Sequence, residues 1–328
     1  MTVPSQGCVV VEGRRGTGVV MAHVVVVHGV GQEYLGRSSL HGPVAAALAD
    51  GVEAAERAGT LPPGSVPDVE DIDVAFYGDV FRTPGAKGGR TGPRSAAEVT
   101  DPYEVDLLLA WAAAAGGPQE QYGTKAPTPR TLQRAMNALL RSPFLPGPVA
   151  ERFLLGVLRQ VRRYFGEDVV RERAMEAVAA RVGPDTTVLV GHSLGSVVAY
   201  EALCAHSEWP VRTLVTLGSP LGMPSLVFDR LRPAPRCGRG HWPGSLAHWT
   251  NLADRHDVVA SVKQLADLFP PLGAPAGNTP NAAETPPEAQ ERVLRDVQVD
   301  NGWRVHDLLR HLTARETGAA IGEGLQAG

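Results

Sequence analysis

The sequence is poor in cysteine and has no long apolar run. Its 328 residues include three cysteines, too few for a disulfide framework and none at a zinc-like spacing from another, which fits a reducing compartment. No stretch approaches the roughly 18 consecutive apolar residues that span a membrane, and no basic segment leads into a long apolar one at the N-terminal end. The sequence therefore predicts a cytoplasmic protein without an integral membrane segment.

The sequence also lacks an excess of positive charge and the common metal-binding and nucleotide-binding motifs. The formal net charge is −4 and no long basic face stands out, so we expect no nucleic-acid partner. The sequence contains no His-Glu-x-x-His zinc motif and no Gly-x-x-x-x-Gly-Lys phosphate loop. Gly29 and Gly31 could begin a dinucleotide fingerprint, but its third glycine would fall at Tyr34. These absences predict a protein that uses no metal and no cofactor.

Apolar runs of strand length alternate with segments of helical periodicity. Several runs are almost entirely Val, Leu and Ile, as strands buried on both faces should be, and most are followed by a helical pattern. This order is typical of an α/β fold with a mostly parallel central sheet and right-handed crossovers. The six predicted strands are Ala22–Val27, Ile72–Tyr77, Thr187–Val190, Thr213–Leu217, Ala247–Leu252 and Val293–Val299.

Helices are predicted around this sheet, several of them between the second and third strands. Residues 79–185 exceed what one crossover needs, so they contain a helical insertion that either covers a pocket as a lid or packs on the flank of the sheet. Two stretches rich in Gly and Pro, Thr83–Ser95 and Pro270–Pro287, are predicted loops. We expect one domain over residues 21–328, with residues 1–20 as an N-terminal extension or an edge strand. The predicted helices are Leu40–Ala58, Asp101–Ala115, Leu132–Leu140, Pro148–Arg181, Leu194–Ser207, Val258–Leu268 and His306–Glu316.

The most informative motif is Gly-x-Ser-x-Gly at residues 191–195, between a strand-like run and an apolar helix. A tight strand-to-helix turn holds its central residue in a strained conformation, which neighbouring side chains would crowd unless they were glycine. Ser193 Oγ would then stand at the end of the sheet as a nucleophile. The N–H of Leu194 would lie at a helix N-terminus, where it can face a developing oxyanion. The alternative is that Ser193 only caps the helix.

These features resemble the α/β-hydrolase superfamily, within its lipase, esterase and peptidase-like branch. The resemblance covers roughly residues 21–316 and implies a mostly parallel sheet of eight strands, of which six can be found. It also implies that the loop after the first strand supplies a second oxyanion-hole N–H. In this sequence that donor falls on Val30, with Gly31 or Gln32 as neighbouring alternatives.

The resemblance further implies an acid and a base after the serine, in the chain order Ser, Asp, His. Asp257, which precedes two valines, resembles the acid-then-aliphatic pattern of the family, and Asp254 is the alternative acid. Asp257 could instead be the N-cap of a helix. His306 follows the last predicted strand and a turn, so it can approach the serine from the carboxyl edge of the sheet as general base. His311, five residues further on, is expected to point elsewhere.

The implied function is hydrolysis of an ester or thioester of a small-molecule or lipid-like acyl group, through an acyl-enzyme on Ser193. A serine peptidase or amidase with the same residues is one alternative, because a triad does not discriminate between these substrates. A hydrolase-like domain that binds or signals without catalysis is another. A large apolar pocket beneath the helices predicted between residues 101 and 140 would favour lipids.

Overall fold

The computed structural model describes residues 23–82, 96–117, 127–142, 150–271 and 292–327. The N-terminal extension or edge strand expected at 1–20 and the predicted loop at 83–95 lie outside the described residues, as does most of the loop at 270–287. The single-domain expectation for 21–328 stays a prediction.

Six strands form one sheet, and both ends of every strand lie within two residues of the predicted ends. They are β1 (Val24–Val27), β2 (Ile72–Ala75), β3 (Val188–His192), β4 (Thr213–Leu217), β5 (His248–Asp254) and β6 (Val293–Val299). Their order is β2-β1-β3-β4-β5-β6, and every adjacent pair is parallel. All four residues of β1 are fully buried valines, as expected of a strand covered on both faces. The predicted α/β fold with a parallel central sheet is confirmed.

Helices cover both faces of this sheet. They are α1 (Arg37–Arg57), α2 (Pro102–Ala114), α3 (Pro129–Arg141), α4 (Ala150–Gly166), α5 (Asp168–Ala179), α6 (Leu194–Ala205), α7 (Leu308–Thr313) and α8 (Arg315–Ala327). Val25 and Val27 belong to a core shared with α2 to α6, whereas Val24 and Val26 belong to one shared with α1, α7 and α8. Because side chains alternate along a strand, these two groups of helices lie on opposite faces. Among the described helices, none combines the length and apolarity that crossing a membrane requires.

The helical insertion lies between β2 and β3, as predicted, and its second half is fixed to α6 by a buried cluster. The carboxylate of Glu201 accepts hydrogen bonds from the hydroxyl of Tyr164 at 2.7 Å and from the guanidinium of Arg171. Tyr164 is in α4, Arg171 in α5 and Glu201 in α6. The cluster joins the three helices, but desolvation of both charges offsets much of their attraction, so the ion pair by itself adds little net stability.

One predicted helix, Val258–Leu268, does not form. The segment is irregular, and side chains take up its backbone N–H groups instead. The Asp257 carboxylate accepts from the N–H of Val259, and the Asp296 carboxylate accepts from two N–H groups further along, at 2.9 to 3.0 Å. These acceptors satisfy three of the N–H groups of the segment without a helix, which the apolar periodicity alone did not reveal. The alternative in which Asp257 caps a helix is therefore wrong.

Two other helical predictions need corrected bounds. The stretch Pro148–Arg181 is two helices, α4 and α5, because the backbone at Glu167 is extended. The stretch His306–Glu316 contains α7 and the start of α8, which the extended Ala314 separates. His306 therefore lies on the loop before α7 rather than inside a helix.

Candidate active site

Ser193 stands at a sharp turn between β3 and α6. The strand ends at His192 and the helix begins at Leu194, so one residue makes the turn, with φ 53° and ψ −129°. This conformation is uncommon for a residue with a side chain and persists only where its surroundings hold it. The Ser193 N–H donates to the carbonyl of Leu217 at 2.9 Å, and its carbonyl accepts from Oγ of Ser196 at 2.6 Å. The turn is thus fixed by hydrogen bonds on both sides.

Two glycines let the loop after β1 pass directly against this turn. A Cβ on Gly195 would lie 2.3 Å from the carbonyl oxygens of both Val27 and His28, and a Cβ on Gly29 would lie 2.8 Å from Cβ of Ser193. A side chain at either position would collide with these atoms. The glycine requirement at 195 that the motif predicts therefore has a direct steric cause.

Ser193, His306 and Asp257 form one chain of hydrogen-bonded side chains. Nε2 of His306 lies 2.9 Å from Oγ of Ser193, and Nδ1 of His306 lies 2.6 Å from Oδ2 of Asp257. With its proton on Nδ1, the ring donates to the carboxylate, and Nε2 can accept the serine hydroxyl proton. The contacts join positions 113 and 49 residues apart. The parallel sheet brings them together because the loops that follow its strands meet at one edge.

The surroundings of Asp257 keep its carboxylate charged. Burial by itself would raise the pKa of Asp257, but the electrostatic interaction with His306 and the hydrogen bond from it outweigh burial, so the pKa is lowered overall. The second carboxylate oxygen accepts from the N–H of Val259 at 2.9 Å, and Nζ of Lys263 donates to the Asp257 carbonyl. An ionised carboxylate held in this way can orient the His306 ring and stabilise its cationic form.

Asp254, the alternative acid, is engaged in holding a turn. Its two carboxylate oxygens accept from the backbone N–H groups of His256 and Asn301, each at 2.8 Å. Asn301 belongs to the turn that leads from β6 to His306. Asp254 therefore supports the loop on which His306 lies, while the carboxylate in contact with His306 Nδ1 is that of Asp257.

Two further histidines lie behind His306. Nε2 of the buried His192 donates to the carbonyl of His306 at 3.0 Å, and His311 lies beyond it, fully buried, with its ring centre 5.9 Å from that of His192. Burial lowers the pKa of both rings, that of His311 to about 4. Both are therefore neutral at pH 7, and His192 fixes the backbone of His306 without adding charge.

The loop after β1 is anchored at its start to the end of β2. The backbone N–H of Tyr77 donates to Nε2 of His28 at 3.1 Å, and the Tyr77 hydroxyl donates to the His28 carbonyl at 2.7 Å. Burial lowers the pKa of His28 to about 4, so Nε2 keeps the lone pair that this bond needs. The backbone leading to Val30 is therefore held in one orientation.

Val30 and Leu194, the two predicted oxyanion donors, line the same cavity as Ser193. Within the described parts of the chain, neither of their backbone N–H groups has a hydrogen-bond partner. The N–H of Gly31 donates instead to Oε1 of Gln160 at 3.0 Å. Gly31, one of the two alternative donors, is thus already engaged.

Ser193 and His306 open into a cavity of about 730 Å³. Its wall is mostly apolar, and opposite helical layers contribute to it: α2 and α4 of the insertion from one face of the sheet, α1 and α7 from the other. The insertion therefore forms part of a pocket wall as well as packing on the sheet. Lining residues include Leu107, Trp111, Val157 and Val161 from the insertion and Leu40 and Leu308 from the opposite layer.

Residues 158–232 match a protein-family model described as a PGAP1-like alpha/beta domain. The matched stretch contains β3, the Ser193 turn, α6 and β4. The chain has an α/β-hydrolase fold. The rest of the chain lies outside this match. No curated protein and no solved structure matches the chain.

Several residues that shape the site in this α/β-hydrolase fold were not predicted from the sequence. Gly218 has a φ of 54°, and a Cβ there would lie 2.7 Å from Oδ2 of Asp257; its one sequence signal is a glycine directly after a strand. Ser219 Oγ lies 2.7 Å from Oγ of Ser196 and so braces the Ser193 turn. Gln160 and Lys263 belong to no motif, and their roles depend on contacts with distant parts of the chain.

Proposed function

We propose that the protein is a serine hydrolase that cleaves the ester or thioester of an apolar acyl group through an acyl-enzyme. The observation that carries this proposal is the hydrogen-bonded chain of Asp257, His306 and Ser193 at the edge of an apolar cavity. A nucleophile, a base and an orienting acid are the three parts that this chemistry needs.

In the first half of the reaction, Nε2 of His306 takes the hydroxyl proton of Ser193 as Oγ attacks the carbonyl carbon. The carbonyl oxygen becomes an oxyanion, to which the N–H groups of Val30 and Leu194 donate. Backbone donors suit this task because they are rigid and aimed at charge that develops only in the transition state. The tetrahedral intermediate then collapses, and His306 returns the proton to the departing alcohol or thiol.

In the second half, water replaces the departed group. His306 removes a proton from the water, the hydroxide oxygen attacks the acyl carbon, and the bond to Ser193 Oγ breaks as His306 gives the proton back to Oγ. Throughout, the charged Asp257 stabilises the imidazolium that forms on His306.

The lining of the cavity supports an apolar acyl group and indicates the orientation in which a substrate would bind. The departing group must lie beside His306, which protonates it, and the charged lining residues Arg304 and Asp307 flank His306 in sequence. The acyl group then extends toward the apolar wall formed by α2 and α4. Four exposed apolar side chains also line the cavity: Leu35, Phe153, Trp303 and Leu309. A peptide substrate would place polar backbone groups against this apolar surface, and burying them without hydrogen-bond partners costs binding free energy.

The test combines covalent labelling with hydrolysis. Wild-type protein is treated with a fluorophosphonate and assayed on p-nitrophenyl esters of acetate, butyrate, octanoate and palmitate and on peptide p-nitroanilides. We expect labelling on Ser193, loss of labelling in Ser193→Ala, and higher kcat/KM for octanoate than for acetate or the anilides. Asp257→Asn should lower kcat about 10⁴-fold, because the histidine then takes the wrong tautomer.

Asp254→Asn is the matched control, because it changes a second buried carboxylate three residues away. We expect its kcat to stay within about tenfold of wild type, since the amide keeps one of the two backbone hydrogen bonds that Asp254 accepts, from His256 and Asn301, and neither bond involves the side chain of Ser193 or His306. If kcat falls sharply in Asp254→Asn and not in Asp257→Asn, the acid is wrongly assigned. A wild type that neither labels nor turns over any ester would contradict the proposed activity and favour a binding domain. Faster cleavage of the anilides would indicate a peptidase or amidase.

A further inference from the structure

Helix α4 touches the loop after β1 at two points. Gln160, which is 6% exposed, accepts the hydrogen bond from the N–H of Gly31 at 3.0 Å. Phe153 lies seven residues earlier and therefore on the same face of the helix; its Cε2 would be 2.5 Å from a Cβ on Gly31. The helix thus packs on the loop and also holds one of its backbone groups.

The hydrogen bond from Gly31 fixes the peptide group that follows Val30. The peptide group that carries the Val30 N–H is held at its other end, because Nδ1 of His28 donates to the Gly29 carbonyl at 2.6 Å, and the preceding peptide is held by the bond from the Tyr77 hydroxyl to the His28 carbonyl. The bond from Gly31 holds the following peptide, so contacts on both sides of Val30 constrain the direction of its N–H. Gly31 itself has a φ of 83°, which glycine adopts readily and which would not by itself hold the loop.

We propose that Gln160 is a positioning residue: it aims the Val30 N–H at the oxyanion by holding the next peptide group, so that α4 of the insertion completes the oxyanion hole. The inference rests on the proposed hydrolase activity. It assigns a role in catalysis to a side chain that has no part in the Ser193, His306 and Asp257 chain. It also makes the activity depend on how α4 is seated.

Three substitutions separate this role from a general effect on packing. Gln160→Met keeps the length of the side chain and removes the acceptor, Gln160→Asn keeps the amide but is too short to reach Gly31, and Gln160→Glu keeps an acceptor at the same distance. The matched control is Gln133→Met in α3, because Gln133 Oε1 also accepts a backbone N–H, that of Ala96 at 3.3 Å. Gln133 is not among the residues that line the cavity.

The measurements are kcat and KM for p-nitrophenyl butyrate, the rate of fluorophosphonate labelling, the pH profile of kcat/KM and the thermal unfolding midpoint. We expect kcat and the labelling rate to fall about 10- to 100-fold in the Met and Asn variants, with KM within about threefold, because a misaimed donor costs mainly transition-state binding. The pH profile should keep its wild-type midpoint, because His306 is untouched. The Glu variant should retain more activity than either, and Gln133→Met should match wild type.

The outcomes distinguish this inference from the proposed function. An active wild type whose Met and Asn variants keep kcat within threefold overturns the role of Gln160 alone. A rise in KM, a shifted pH midpoint or an equal loss in Gln133→Met points to general packing and also overturns it. If Gln160→Met does not fold, the comparison of kcat between Gln160→Asn and Gln160→Glu tests the role of Gln160, and equal activity in these two variants overturns it. A wild type with neither turnover nor labelling overturns both proposals.

Discussion

Gly218 offers a sharp test of the site, because its missing side chain makes room for the contact between Asp257 and His306. A Cβ at this position would lie 2.7 Å from Oδ2 of Asp257 and 2.9 Å from Nδ1 of His306. The perturbation is therefore Gly218→Ala, a single added methyl group directed at the hydrogen bond between these two side chains.

The expected loss follows from the distances. Ordinary van der Waals contact begins at 3.4 Å, so the methyl group comes about 0.7 Å too close to the carboxylate oxygen. Displacing a catalytic group by about 1 Å can cost 10²-fold in rate, and a 10²-fold loss corresponds to about 2.7 kcal/mol of barrier. The positive φ of 54° adds a separate penalty in stability of about 1 kcal/mol for a residue with a Cβ.

The assay is steady-state hydrolysis of a p-nitrophenyl ester together with urea unfolding. Gly59→Ala is the matched control, because Gly59 also has a positive φ, 73°, but has nothing within 4 Å of an added Cβ. Both variants should lose about 1 kcal/mol of stability, and only Gly218→Ala should lose kcat/KM, by about 10²-fold. Equal activity in the two variants would refute the view that close packing at Gly218 positions the Asp257 and His306 side chains.

Two further predictions concern the pocket wall and the buried histidine behind the base. Val161→Phe should fill part of the cavity beside the α2 and α4 wall, lowering kcat/KM for the octanoate ester about tenfold and leaving kcat/KM for the acetate ester within twofold of wild type. The control is Val169→Phe, at a valine that is 64% exposed, which should change neither value. An equal loss on both esters in Val161→Phe would contradict the assignment of this wall to the acyl group. The unfolded chain binds a proton on His311 below about pH 6.5 and the folded chain only below about pH 4, so wild-type stability should fall by roughly 3 kcal/mol from this residue as the pH drops through that window. His311→Phe should remove that part of the pH dependence in urea unfolding, and an unchanged slope would show that the burial of this ring is not its cause.

Local sequence patterns were sufficient for most of the fold. Continuous valine runs predict buried parallel strands, and the glycines at 191 and 195 predict a tight turn at Ser193, because each of these signals depends on neighbours within a few residues. Periodicity predicted a helix at Val258–Leu268 incorrectly, because the Asp296 carboxylate, distant in sequence, takes up the backbone N–H groups there. Acceptors of this kind cannot be read from a local pattern.

The sequence by itself determined the order of strands and helices, the parallel sheet and the residue types able to serve as nucleophile, acid and base. It left Asp254 and Asp257 as alternatives, and the catalytic roles remain predictions. Only the tertiary structure decided which carboxylate meets His306, that Gly31 is bound by Gln160 129 positions away, and that two helical layers enclose one cavity. The physical reason is that backbone propensity and periodicity act over a few residues, whereas a site at a sheet edge is assembled from loops that the parallel crossovers bring together.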